Sequence, residues 1–245
     1  MNTRVTHPSV KERSNLYTWI AVATFLIVFA GFARTFYLKI LFGTRPLPFY
    51  LHLHGLMFTL WFVLFFVQVR LVARHRVDLH RRLGVFGAVL APLAACLAIG
   101  VSIHALRRHN LADPTWLNAN PNLRPFAMDL GTSLMFALLV GAALYFRRSG
   151  GIHKRLMVLA SCSLLLPAIG RIPPHFSFFA GGLWGLVGFT EVPPIVCIVF
   201  DSIRNRRGHP AFAWGGLALL SSFPLFMLIG GTSTWLAFSK WLVSQ

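Results

Sequence analysis

The chain has 245 residues, 56% of them hydrophobic and only 12% charged, with 23 basic residues against 6 acidic ones. A water-soluble domain of this size cannot bury so much apolar surface, so lipid must cover part of it. The formal net charge of +17 would suit a nucleic-acid binder. However, the basic residues fall in short segments between apolar runs, as in loops held on one side of a membrane, which excludes nucleic acid and makes the lipid bilayer the partner.

Residues 1–16 read as a polar tail holding Arg4, Lys11 and Arg13. A first span over about 17–36 follows. Ala30-Gly31-Phe32-Ala33 faintly resembles a signal-peptidase site, but the apolar run is long for a leader and reads as an uncleaved anchor. A connector with Lys39, Arg45, Pro46 and Pro48 leads to a second span over about 49–72. Its proline-marked start suits a helix, because the first-turn N–H has no partner in any case. This second span lies in the stretch around which the chain is organised, Tyr50 to Gly84. His52 and His54 open it, Gln68 interrupts its apolar run, and a knot of Arg70, Arg74, His75, Arg76, His80, Arg81 and Arg82 closes it.

A third span covers about 82–104, and the longest connector, 105–124, is rich in Asn, Pro and Arg. Pro125 opens a fourth span reaching about 146; a fifth covers about 154–172 and stops at Pro173-Pro174. The sixth, about 182–201, holds Glu191 just before Pro193-Pro194, and the seventh covers about 211–230. The tail 231–245 places Trp235, Phe238, Trp241 and Leu242 at helical spacing but is too short to cross, so it reads as a helix lying in the interface. The expected fold is therefore all-α: a seven-transmembrane helix bundle over 17–230 plus a short C-terminal interfacial helix.

Seven spans put the termini on opposite sides. The N-terminal side then collects fifteen basic residues and the other side six, or eight when Arg34 and Arg171 at span ends are included. That bias predicts a bacterial inner-membrane protein with a cytoplasmic N-terminus and a periplasmic C-terminus. His80-Arg81-Arg82-Leu83 and His153-Lys154-Arg155-Leu156 open the third and fifth spans alike, hinting at a repeated helix pair. The three cysteines, Cys96, Cys162 and Cys197, lie in apolar segments without paired spacing and read as packing residues.

Ionisable groups in hydrocarbon are expensive and normally face a protein interior or a wet cavity. Glu191 lies about 13 Å into its helix and His54 about 10 Å below the same outer side, with Asp129 about one turn below that surface. Arg34, Arg171, His52, His104 and His175 fall nearer the outer interface. One reading makes these residues an outward-facing pocket for a small or lipidic substrate, with Glu191 and Asp129 catalytic. Arg34, Arg171, Trp61 and Gln68 would then contact the substrate, and a desolvated Glu191 would act as general acid. The plain alternative is that Arg34 or Arg171 neutralises Asp129 or Glu191 in a structural ion pair.

The histidines allow another reading. His54, His104 and His175 share one membrane depth and His80 and His153 the other, on different helices; two opposed imidazoles are what a haem b between helices requires. A metal at His54 with His52 belongs to the same reading, although the two residues stand about 200° apart on a helix. His80 and His153, set amid arginines, also suit contact with lipid phosphates. The fourteen-residue histidine spacing of respiratory cytochrome b helices is absent; position 68 is Gln. A mid-helix retinal lysine in the last span, a His-x-x-x-His pair there, Asp-rich prenyl-transfer motifs, a Gly-x-Ser-x-Gly elbow and a phosphate loop are likewise missing.

Through HLHGLMFTLWFVLFFVQVRLV…LHRRLG, HKRLMVLASCSLLLPAIGRIP and HPAFAWGG…WLAFSKWLV, the chain from about residue 50 onward resembles a group of uncharacterised bacterial multi-pass membrane proteins. Its His-Arg/Lys-Arg-Leu helix starts resemble those of small membrane proteins that assist haem–copper oxidase assembly. More loosely, they are similar to those of diheme cytochrome b carriers. The resemblance implies haem b or metal binding, with electron transfer or oxidase maturation as the role and a redox partner to serve. A structural subunit of a larger membrane complex remains the third reading.

Overall fold

The structure, a computed structural model, describes residues 10–44, 46–172 and 182–245. These are helical with short turns, and no strand occurs among them. In chain order the elements are α1 (Val10–Phe32), α2 (Phe49–Ala73), α3 (Val77–Ala112), α4 (Trp116–Ala119), α5 (Arg124–Tyr145), α6 (Gly150–Ser163), α7 (Leu166–Ile169), α8 (Gly182–Asn205), α9 (Pro210–Ile229) and α10 (Ser233–Ser244). Among the described residues, six segments are long and apolar enough to cross a membrane: Leu16–Tyr37, Phe49–Ala73, Val77–Ala112, Arg124–Tyr145, Gly150–Ile169 and Pro210–Ile229.

The helix limits follow local chemistry. Pro48 precedes α2 in an extended conformation, while Pro125 and Pro210 occupy first-turn positions of α5 and α9, where their missing N–H costs nothing. His209 Nδ1 accepts from Ala211 N at 3.1 Å and Thr232 Oγ1 accepts from Trp235 N at 3.2 Å, capping α9 and α10. Pro167 sits at the start of α7, where its ring disfavours continuation of α6, so that span is broken after Ser163. His75 and Arg206, with φ of 59° and 55°, take the left-handed conformation just beyond α2 and α8.

Two boundaries depart from the sequence reading. Helix α1 begins at Val10, inside the expected polar tail, and ends in a π-helical turn, Ala33–Tyr37. Helix α3 runs unbroken for 36 residues to Ala112, taking in the first part of the expected connector. At 1.5 Å per residue it is about 54 Å long, well beyond a hydrocarbon core of about 30 Å.

Helices α5 and α6 form the centre: α5 packs against α3, α6 and α9, and α6 also against α8. Their contact surfaces are lined by Phe136, Leu139, Ala143, Leu159, Ala160 and Cys162, all buried in one core cluster. Cys162 and Cys197 meet there as free thiols. Outward faces are apolar instead of polar: Val85, Val89 and Leu93 on α3 and Trp214, Leu217 and Leu228 on α9 are exposed. A surface of that kind suits acyl chains. Gly31 brings α1 so close to α7 that a Cβ there would stand 2.1 Å from the Ala168 carbonyl oxygen.

Candidate functional site

The helices run alternately, so the polar side chains gather at two ends of the bundle. At the end where α1 begins, Arg155 of α6 and Asp201 of α8 form a buried ion pair, their side chains only 6% and 3% exposed. It is bidentate: Arg155 Nε donates to Asp201 Oδ2 at 2.8 Å and Nη2 donates to Oδ1 at 2.9 Å. Tyr17 Oη donates to Asp201 Oδ1 at 2.9 Å, Arg155 Nη1 donates to the Gly151 carbonyl at 2.9 Å, and the Phe212 ring lies 5.7 Å from the guanidinium. Four helices, α1, α6, α8 and α9, are thereby tied together. The sequence reading missed Tyr17 and Asp201 and counted Arg155 only as an interfacial base; Asp201, one of six acids in an apolar chain, was the available signal.

His209 borders this network, its Nε2 3.3 Å from where a Cβ on Gly151 would stand. Burial and then the charge of Arg155 hold its imidazole below the usual histidine range, with Lys154 adding to the effect and Asp201 opposing it. A depressed folded-state value means that the neutral ring contributes stability above the unfolded pKa, about 6.5. That contribution is lost as pH falls through the folded value. His209→Asn keeps a capping acceptor without a titrating ring, so its thermal midpoint should fall less than that of the parent chain between pH 7 and pH 5. Parallel melting curves would refute this reading.

At the same end, His80 of α3 and His153 of α6 meet with ring centroids 6.2 Å apart and planes at 85°. His153 Nδ1 lies 2.8 Å from the Ala143 carbonyl, which can only accept, so Nδ1 carries the proton and Nε2 presents a lone pair in the neutral ring. His80 Nδ1 and Gln68 Oε1 are buried without a hydrogen-bond partner. It is the backbone of Gln68, not its side-chain amide, that acts on the His80 imidazole as a hydrogen-bond partner. Such orphaned buried polar atoms normally signal an unseen partner.

At the opposite end, Arg171 acts electrostatically on both Asp129 of α5 and His54 of α2. It closes no ion pair with Asp129 within 4.0 Å. Arg171 Nη1 instead donates to the Pro167 carbonyl at 2.7 Å, and the guanidinium lies 4.7 Å over the Phe32 ring. His54 packs on Phe58 at 4.9 Å, with Nδ1 unpartnered. Beneath, Trp61 meets Phe136 edge-on at 4.8 Å, closing the floor between α2 and α5.

The other expected site residues lie apart from this group. Among the described residues, Glu191 on α8 has no electrostatic tie to Arg171, Asp129 or His54. Arg34 is exposed over Phe42 at 5.4 Å. His52 is exposed, with Nδ1 3.3 Å from the Pro48 carbonyl, and points toward Phe36 and away from His54. His104 is exposed against Tyr50 at 4.8 Å, and His175 lies outside the described residues. Gln68, expected to touch substrate near His54, sits at the far end beside His80. No cluster of three or more His, Cys, Asp or Glu side chains suited to a metal occurs among the described residues. No family model, curated protein or solved structure matches the chain.

Proposed function

We propose that this is a multi-pass protein of the bacterial inner membrane in which His80 and His153 hold a haem b or a transition-metal ion for electron transfer or oxidase maturation. The observation that supports it is the meeting of two imidazoles from separate helices, one anchored through Nδ1. His80 and His153, their ring centroids 6.2 Å apart, are the residues that would hold such a group. A ligating histidine normally donates its other N–H to a carbonyl, as His153 does to Ala143. When bound, the metal would supply the redox chemistry. The chain would orient it between α3 and α6 and exclude water.

In this reading α8 makes a seventh crossing: its 24 residues span about 36 Å at 1.5 Å each. The basic excess places the His80–His153 end in the cytoplasm, and α10 lies in the opposite interface. The test is a histidine panel in the purified protein. His80→Ala and His153→Ala should each lower bound haem or metal by about tenfold or more, as loss of one of two protein ligands requires, while His54→Ala and His104→Ala retain it. Equal retention across the panel would refute the assignment.

A second reading is favoured by the action of Arg171 on Asp129 and His54 without a closed ion pair. It makes this group of three residues a binding site for a small or lipidic molecule carrying both an acceptor and a donor. A ligand-induced thermal shift that survives both Arg171→Gln and Asp129→Asn would remove it.

A further inference from the structure

Around the end of α2 nearest His80, two apolar grooves run side by side on the outer surface. The first, about 610 Å³, lies between α1 and α2 and is lined by Trp19, Val22 and Phe66, with Arg70 and Arg74 at its mouth. The second, about 480 Å³, lies between α2 and α3 and is lined by Leu79, Leu83 and Phe86, with Arg82 at its mouth. Val67 and Leu71, one helical turn apart, line both grooves and form the ridge between them.

The charges at these mouths are unspent. Arg70, Arg74 and Arg82 make no ion pair or side-chain hydrogen bond among the described residues. Arg74 and Arg82 are exposed. Trp19, 69% exposed, stands beside them where an aromatic belt meets the headgroups. From Val67 to Arg74 the helix rises about 10 Å, so each groove leads from hydrocarbon to the polar surface.

The geometry points to a bound anionic phospholipid that straddles the Val67–Leu71 ridge, one acyl chain in each groove and its phosphate among Arg70, Arg74 and Arg82. Guanidiniums around a headgroup attract a lipid of net negative charge above two apolar channels sized for two chains, each Arg near the surface adding to the attraction. A zwitterionic headgroup would gain less, because it offers no net negative charge and sets its own cation among the guanidiniums. The inference is independent of the cofactor reading and needs only that α2 lies in a bilayer.

The full-length protein would be taken from nanodiscs of equal parts phosphatidylglycerol and phosphatidylcholine, and its retained lipid read by native mass spectrometry. One retained phosphatidylglycerol per chain is expected. Arg70→Gln/Arg74→Gln/Arg82→Gln should reduce that retention by about tenfold or more. Leu71→Trp, which narrows both grooves, should also lower it. Arg147→Gln/Arg148→Gln/Arg207→Gln, which removes equal charge from exposed sites outside the grooves, should not. If that control triple releases the lipid equally, attraction is diffuse and the site is overturned. Retention of phosphatidylcholine and phosphatidylglycerol in equal amounts overturns it too. So does a dimer that Leu71→Trp disperses, because a second copy would then occupy the grooves.

Discussion

Replacing Asp201 with alanine is expected to cost about 3–5 kcal/mol, because it leaves Arg155 as an uncompensated buried charge. The whole tie between α1, α6 and α8 goes with it: the two salt-bridging hydrogen bonds and the Tyr17 hydroxyl that reinforces them. Tyr17→Phe removes a single bond to a charged acceptor and should cost less, about 1.5–3 kcal/mol. The double substitution Arg155→Met/Asp201→Leu removes both charges and should regain most of the loss, since well-packed apolar residues substitute for buried pairs. Denaturant titrations in detergent micelles check the series. A double variant no better than Asp201→Ala would show that the network acts in some way other than charge compensation.

The second large effect is expected at Gly31. A methyl group there would meet the carbonyl oxygen, carbon and Cα of Ala168 at 2.1, 2.6 and 2.7 Å, all backbone atoms that no rotamer change can move aside. Helix α1 would have to swing off α7, and overpacking of this kind costs about 1–3 kcal/mol for one methyl. Gly31→Leu should be worse, exposing to proteolysis the segment of α1 that packs on α2 and α7. Gly141, whose added Cβ would meet nothing within 4 Å, is the control. Gly141→Ala should leave the midpoint unchanged or slightly raised, as alanine favours a helix interior. Equal behaviour of the two alanine variants would contradict the close α1–α7 approach.

Helix positions were legible because apolar runs are bounded by prolines and charges, and those features set the ends directly. Residues 105–112 were misread because hydropathy reports where lipid ends, whereas ALRRHNLA contains good helix formers that carry α3 on into water. Arg155 was misread for a different reason. Its partners arrive from 46 residues away in Asp201, which in turn receives Tyr17 from 184 away, and no local pattern announces such meetings.

The candidate site was legible in part. The matching His-Arg/Lys-Arg-Leu starts pointed to His80 and His153, whose rings meet. Yet the likeness ends at the third residue, since Arg82 is exposed and Arg155 buried. For His54, Asp129 and Arg171, membrane depth was enough to gather them, because alternating helices bring equal depths together. Depth alone could not place Glu191, because depth says nothing of the direction in which a side chain leaves its helix, here one that carries Pro193 and Pro194.

One spectrum bears most directly on the account. The intact protein, purified from membranes in mild detergent, should show either a Soret band or near one transition-metal equivalent per chain, and reduction or chelation should change that signal. A colourless preparation, metal-free by elemental analysis and unable to take up haem or copper when supplied with them, would contradict the assignment of His80 and His153 as ligands.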